Sequence, residues 1–373
     1  ICSIGPSTQN WESFKGIVDA GMNVARINFS HATLEERKID EDLVSRANKE
    51  LGTNIAVLYD TKGPEFRSGV AKEDGISLVS GKTIKIVKED VIGNEERFTV
   101  NHKTAIDALQ IGDIVLLENG LMKIEVIEKA DDYVNCKIIN GGILFSKKSL
   151  SAPGVDLNIP FISDIDREDI IYACQHEGDY LAASFVESAQ NIYDIREILK
   201  EQNREDMKII AKIESQTGMN NLESIAIAAD GLMVARGDLG VEVPMEDLPI
   251  AQKKIVKMAR KYKKICIVAT EMLESMKHNP RPTRAEVTDI ANAVYNGTDA
   301  VMLSGETTTG EYPVETVRSM ASICEHIEGS ITYSNIFADK KVENATDAIV
   351  KSVAEAANSL DAKLIIVPTI SGT

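Results

Sequence analysis

Short apolar, β-branched runs recur along the chain at 1–4, 23–29, 54–60, 180–186, 208–214, 231–238, 264–270 and 300–305. Each is followed by a polar turn and an amphipathic helical stretch. Six of the seven gaps are about 20–35 residues, enough for one crossover helix each. Eight strands alternating with helices predict an α/β protein built on a (β/α)8 TIM barrel. Capping boxes are expected at Thr33–Glu36 and Thr283–Glu286, with a weaker variant at Ser163–Asp166. Pro313 is expected in the first turn of a helix.

The gap after the third run breaks this rhythm, because it exceeds 115 residues. Residues 68–155 carry strand-like pieces at 77–79, 83–87, 114–117, 123–127 and 133–139, with turns at Gly75, Gly81, Gly112, Gly120 and Gly141-Gly142. Only 104–109 shows helical periodicity. This pattern predicts a small all-β domain inserted into a βα loop, where barrels tolerate insertions. After residue 331 the repeat changes to a helix at 344–359 and a strand at 363–368, the start of a C-terminal α/β domain. The expected division is 1–67 and 156–331 for the barrel, 68–155 for the insertion and 332–373 for the C-terminal segment. The chain begins at Ile1 and stops at Thr373 inside a Gly-containing loop, so a longer parent protein is expected.

Composition narrows the class. The chain has 373 residues, 43 % hydrophobic and 27 % charged, which excludes collagen, extended disorder and a disulfide miniprotein. No apolar run approaches the ~18 residues that span a bilayer. With 58 acidic and 41 basic residues the net charge is −17, a surface that repels nucleic acid and anionic lipid. Any anionic substrate must therefore meet locally clustered cations. Cys2, Cys136, Cys174, Cys266 and Cys324 form no CxxC, and are expected as buried free thiols of a reducing, cytoplasmic compartment. No signal peptide is visible.

The strand ends carry the chemistry. They read Arg26-Ile27-Asn28-Phe29-Ser30-His31, Asp60-Thr61-Lys62-Gly63-Pro64-Glu65-Phe66-Arg67, Lys212-Ile213-Glu214, Arg236-Gly237-Asp238, Thr270-Glu271 and Ser304-Gly305-Glu306. Barrel enzymes work at these ends. Burying so many charges costs several kcal/mol each unless they pair or bind ions. A salt-bridge network closing the barrel is one reading. The other is a metal site: Glu214 and Asp238 are hard oxygen ligands on neighbouring strands, suited to Mg2+. Arg26, Arg67 and Lys212 would then hold phosphate or carboxylate oxygens, with backbone amides at Gly237 as a further anion seat. That combination points to phosphoryl transfer or enolate chemistry. Neither a Walker loop nor a dinucleotide-binding glycine motif is present.

The motifs SIGPS at 3–7, GMNVARINFSH at 21–31, DTKGPEFRSG at 60–69, AKIES at 211–215, MVARGDLGVEVP at 233–244, ATEMLESM at 269–276, PRPTRAE at 280–286 and VMLSGETTTGEYP at 301–313 resemble pyruvate kinase. The resemblance covers essentially the whole chain. It implies transfer of a phosphoryl group from phosphoenolpyruvate to ADP in glycolysis, with a lid domain after the third strand. It also implies roles for individual residues. Lys212 would stabilise the transferring group and the enolate. Glu214 and Asp238 would hold Mg2+ or Mn2+. Gly237, Asp238 and Thr270 would seat the substrate carboxylate. Arg26 and Arg67 would face phosphates, and Lys148 would close over the nucleotide, near which His31, Asn28 and Pro6 would lie. Asn28, Ser30, Asp60 and Thr61 would bind K+. Ser304 and Glu306 match a motif suspected of relaying the proton. Full-length members are usually homotetramers.

Some positions depart from the family pattern. The lid motif reads Lys148-Ser-Leu-Ser-Ala-Pro-Gly154, without the usual asparagine, and Asn119 stands where a lid carboxylate is usual. Glu187, Thr217 and Glu271 replace a common arginine, acid and glutamine. Glu65 stands where members independent of K+ carry lysine, so a K+ requirement is implied. Two competing functions are an enolate-type lyase, which would need neither the insertion nor Lys148, and a non-catalytic paralogue, which would lose Lys212, Glu214 or Asp238.

Overall fold

A computed structural model describes residues 1–176, 178–331, 342, 344–362 and 364–367. Eight parallel strands pair in chain order: β1 (Cys2–Ser3), β2 (Val24–Asn28), β3 (Ala56–Asp60), β4 (Tyr180–Ala183), β5 (Lys208–Ile213), β6 (Gly231–Ala235), β7 (Ile265–Ala269) and β8 (Ala300–Met302). The sheet closes on itself. Ser3 N–H donates to the Leu303 carbonyl at 3.0 Å and Leu303 N–H to that of Ile1 at 2.9 Å.

Side chains alternate between the two faces of every strand. Ile27, Tyr59, Leu181, Ile209, Ile213, Val234 and Val268 point outward and pack under the surrounding helices. Leu58, Ala182, Ile210, Met233, Ile267 and Met302 point inward and fill the barrel. Both faces are therefore dry, which is why the runs are so continuously apolar. The helices are fixed as their sequences suggest. Thr33 and Thr283 form reciprocal capping boxes with Glu36 and Glu286. Ser163–Asp166 closes a full box rather than a weakened one, because the shorter Asp166 carboxylate still reaches the Ser163 amide at 3.2 Å. Pro313 opens the helix Pro313–Glu328.

Three strands stop three residues short of their apolar runs, among them β8, which ends at Met302 ahead of the short helix Gly305–Thr308. β6 stops at Ala235, its last partner opposite Ala269, and Arg236–Glu242 turns into a short helix. β4 stops at Ala183, after which Phe185 adopts a left-handed φ of 55°. All three ends lie at the barrel mouth.

The insertion is a separate β structure. Six strands pair in the order Leu150–Ser151, Ile114–Leu117, Met122–Lys129, Tyr133–Asn140, Thr83–Val87 and Arg97–Thr99, and a two-stranded ribbon joins Ile76–Leu78 to Gly142–Leu144. Its core, around Ile84, Ile86, Phe98, Leu117, Ile124 and Val126, shares no residue with the barrel core. Strands 97–99, 142–144 and 150–151 escaped the pattern because two or three residues cannot show an alternation. Of the glycines expected at turns, Gly75, Gly81, Gly112 and Gly120 have positive φ and Gly141 does not. It is a close approach, where a Cβ would lie 2.1 Å from the Leu78 carbonyl oxygen.

Helix Ala345–Ser359 is capped by the Asn344 side chain and buries none of its residues, with Ile349 62 % exposed. Residues 364–367 form no strand. The rest of the strand expected at 363–368, and the loop 369–373, lie outside the described residues. Among the described residues, no helix is long and apolar enough to cross a membrane. All five cysteines are free; Cys324 is half-buried rather than buried.

Candidate active site

The inward side of β2 runs Val24, Arg26, Asn28; that of β3, Leu58, Asp60; that of β5, Ile210, Lys212. A step of two residues thus carries each strand from the apolar plug to a charged layer at its C-terminal end. There the side chains interlock. Arg26 Nε meets Asp60 Oδ2 at 2.6 Å, and its Nη1 donates to Ser3 Oγ at 2.8 Å. Lys212 Nζ donates to Asp60 Oδ1 at 3.0 Å and Ser184 Oγ at 2.6 Å, and lies 3.1 Å from Glu214 Oε1. Asp60 and Glu214 are each 1 % exposed.

Burial would push the Asp60 carboxyl up, but Arg26 and Lys212 outweigh it and hold it below its ordinary value. Burial would likewise lower Lys212, yet Asp60 and Glu214 keep its ammonium charged and raise its pKa. Glu214 is the exception. Desolvation raises its carboxyl and nearby Asp238 adds to this, against the pull of Lys212. Its other oxygen accepts the Phe185 amide at 2.6 Å, made available by the left-handed turn after β4.

A carboxylate left short of positive charge beside a second carboxylate is what a divalent cation relieves. Glu214 and Asp238 therefore fit an Mg2+ or Mn2+ site. Among the described residues, no group of three or more metal-ligating side chains converges. Two protein carboxylates suit Mg2+, which keeps waters and substrate oxygens in its remaining positions.

The segment after β6 brings Gly237 and Asp238 beside the end of β7. The Gly237 amide donates to Thr270 Oγ1 at 2.8 Å, so it is not free as expected, and that hydroxyl donates to the Ala269 carbonyl at 2.6 Å. Glu306 is fully buried; its oxygens accept the amides of Leu273 at 3.1 Å and Ser304 at 2.8 Å.

Between lid and barrel lies a cleft of about 390 Å³, lined by Arg67, Lys148, Glu118, Asp238 and Glu242 among others. Arg67 forks onto Glu65 at 2.9 and 2.7 Å. Lys148 pairs with Glu118 at 2.6 Å, and Ser151 of the lid donates to Glu242. Asn28 Oδ1 accepts the Ser30 amide at 3.0 Å, and Thr61 Oγ1 accepts the Ser184 amide at 3.1 Å. These two residues and Ser30 adjoin Asp60 at the ends of β2 and β3. His31 and Pro6 are exposed and do not line the cleft.

The sequence names Arg236 among the charged strand ends without assigning it a role, and it passes over Ser184 and Phe185. Ser184 had a signal, being two residues beyond inward-facing Ala182. The Phe185 contact is made by backbone and had none.

The family model for the pyruvate kinase barrel domain matches residues 1–317. The chain belongs to the pyruvate kinase family. It is 44 % identical to the pyruvate kinase of Staphylococcus haemolyticus and 43 % to that of Geobacillus stearothermophilus, in each case over all of this chain and 64 % of the relative. A crystal structure of a pyruvate kinase from Cryptosporidium parvum superposes with a TM-score of 0.92 at 38 % identity, covering 97 % of this chain and 76 % of that one. This chain thus spans just under two thirds of the curated pyruvate kinases it matches.

Asn119 and Glu187 are each held by a neighbouring serine. Asn119 is held by Ser149, whose hydroxyl donates to Asn119 Oδ1 at 2.7 Å and accepts its amide at 3.2 Å. Glu187 accepts the Ser215 hydroxyl at 2.8 Å, on the cleft wall that also holds Thr217. Burial raises the Glu187 carboxyl, with Asp156 and Glu242 adding to the effect.

Proposed function

We propose that this chain supplies the catalytic barrel and lid of an enzyme that transfers the phosphoryl group of phosphoenolpyruvate to ADP, giving pyruvate and ATP in glycolysis. The buried row of ion pairs Arg26–Asp60–Lys212–Glu214 carries this reading. Buried ion pairs are poor stabilisers, so such a row at a barrel mouth is explained by the charge it handles.

The bond between phosphorus and the enol oxygen breaks, and a bond to a terminal ADP oxygen forms. Enolpyruvate then takes a proton at carbon and becomes the ketone. Lys212 faces the negative charge that develops on the transferring group and the enolate oxygen. One full charge at ~4 Å is worth ~4 kcal/mol at an effective dielectric of 20. Arg26 binds the phosphate, and Thr270 with the Asp238 amide seats the carboxylate, the Gly237 amide being shared between it and the Thr270 hydroxyl. Glu214 and Asp238 hold Mg2+ or Mn2+, which when bound supplies further charge to the phosphoryl oxygens. Asn28, Ser30, Asp60 and Thr61 hold K+. Arg67 and Lys148 take the nucleotide phosphates, with Asn28 and His31 at its edge, and residues 68–155 close to exclude water. Ser304 relays the proton, its amide fixed by Glu306.

The complete protein acts in the cytoplasm as a homotetramer and binds neither nucleic acid nor membrane. A coupled assay for pyruvate with phosphoenolpyruvate and ADP tests the reading. Pyruvate formed only when both substrates and a divalent cation are present supports it. Pyruvate formation independent of ADP contradicts it.

A further inference from the structure

Thr270 and Glu271, the two residues after β7, both lie in the left-handed region, at φ 71° and 53°. For a β-branched residue such as Thr270 this is a true outlier, which persists only where neighbours over-determine it. The neighbour here is Arg236. Its Nη2 donates to the Thr270 carbonyl at 2.6 Å and to the Glu271 carbonyl at 3.1 Å, while Nε donates to Thr270 again at 3.1 Å. Asp289, on helix Arg284–Tyr295, pairs with Nη1 at 2.6 Å and fixes the fork. Arg236 is only 9 % exposed.

The next residue grips the same threonine from its side chain. Gly237 N–H donates to Thr270 Oγ1. The residue after that is Asp238. Three consecutive residues therefore hold the strained backbone, aim the hydroxyl and present the carboxylate proposed for the metal. A planar fork can span two adjacent carbonyls, whereas an ammonium cannot hold the same geometry.

We propose that Arg236 is a positioning residue: it enforces the left-handed Thr270–Glu271 turn, so that the Thr270 hydroxyl and the Gly237–Asp238 segment meet the substrate in one register. This rests on the reading of Thr270 as part of the substrate seat.

The test compares Arg236→Lys, Glu271→Gly and the double variant in the complete protein, by steady-state kinetics and by crystal structure. Arg236→Lys should lower kcat by about 10²-fold while the KM for ADP stays within about twofold, because misplacement at the reacting centre falls on the chemical step. Glycine adopts positive φ without strain, so Glu271→Gly should restore most of kcat in the Arg236→Lys background. The Arg236→Lys crystal structure should show Thr270 at negative φ with its contact to Gly237 lost. A kcat within about twofold of the parent overturns the proposal, as does a double variant as slow as Arg236→Lys. If the parent makes no pyruvate, the phosphoryl-transfer reading fails instead, and the conformation of Thr270 in the variant crystal still decides the role of Arg236.

Discussion

Lys212 and Asp60, 152 residues apart in the chain, meet at 3.0 Å where Asp60 is 1 % and Lys212 8 % exposed. The pairing keeps the lysine charged in a dry site. It also leaves Glu214, the other partner of Lys212, short of positive charge.

At the proposed metal site that shortage sets a pH dependence. The Glu214 carboxyl is raised from 4.5 to about 7, so the cation-free protein holds a proton there between those values. A cation must displace that proton. The half-saturating Mg2+ concentration should therefore rise as pH falls from about 8 to about 6, by up to about tenfold per unit below the raised value. By the same linkage, stability drawn from the proton is present at acid pH and lost as pH rises through about 7. Glu214→Gln and Asp238→Asn should each weaken Mg2+ activation, and Glu214→Gln should also flatten this pH dependence. A half-saturation that ignores both pH and substitution would place the metal elsewhere.

The lid should be separable. Its core shares no residue with the barrel core, although Phe66, Leu157 and Ile159 pack against the lid and would be uncovered by its loss. Replacing 68–155 by a short linker should leave cooperative thermal unfolding and abolish nearly all pyruvate formation, because Lys148 is lost and water enters. Activity at the parent level would remove the lid from the mechanism.

How far the sequence carried this picture depends on what each feature is made of. The eight barrel strands, the insertion and the inward placement of Arg26, Asp60, Lys212 and Glu214 follow from periodicity and position at strand ends. The strand ends themselves did not. Residues 184–185 and 236–238 read as continued strand, but there the chain leaves its neighbours to make contacts across the mouth. The Phe185 amide reaches Glu214, and the Arg236 fork reaches the Thr270 carbonyl. Such contacts join backbone to side chain over 29 and 34 residues of sequence, where no local pattern records them.

The proposed potassium dependence rests on charge. Phosphoenolpyruvate and ADP bring about −6, and Asp60, Glu65, Glu214 and Asp238 add four negative charges. Arg26, Arg67, Lys148 and Lys212 offset four, and two divalent ions, one of them on the nucleotide, offset about four more. A deficit of about two positive charges remains, one of which is due to Glu65, paired with the Arg67 fork. Activity in tetramethylammonium salts should rise when K+ is added, and Glu65→Lys should lessen the requirement. Equal rates with and without K+ would show that no cation is needed there.

The most direct test of the buried ion-pair row is the turnover of Lys212→Met with phosphoenolpyruvate and ADP, read beside substrate affinity. In the proposed reaction the charge of Lys212 is needed most while the phosphoryl group is in flight, so kcat should fall by on the order of 10²–10³ or more with little change in substrate dissociation constants. A variant that keeps nearly the parent kcat would contradict the account.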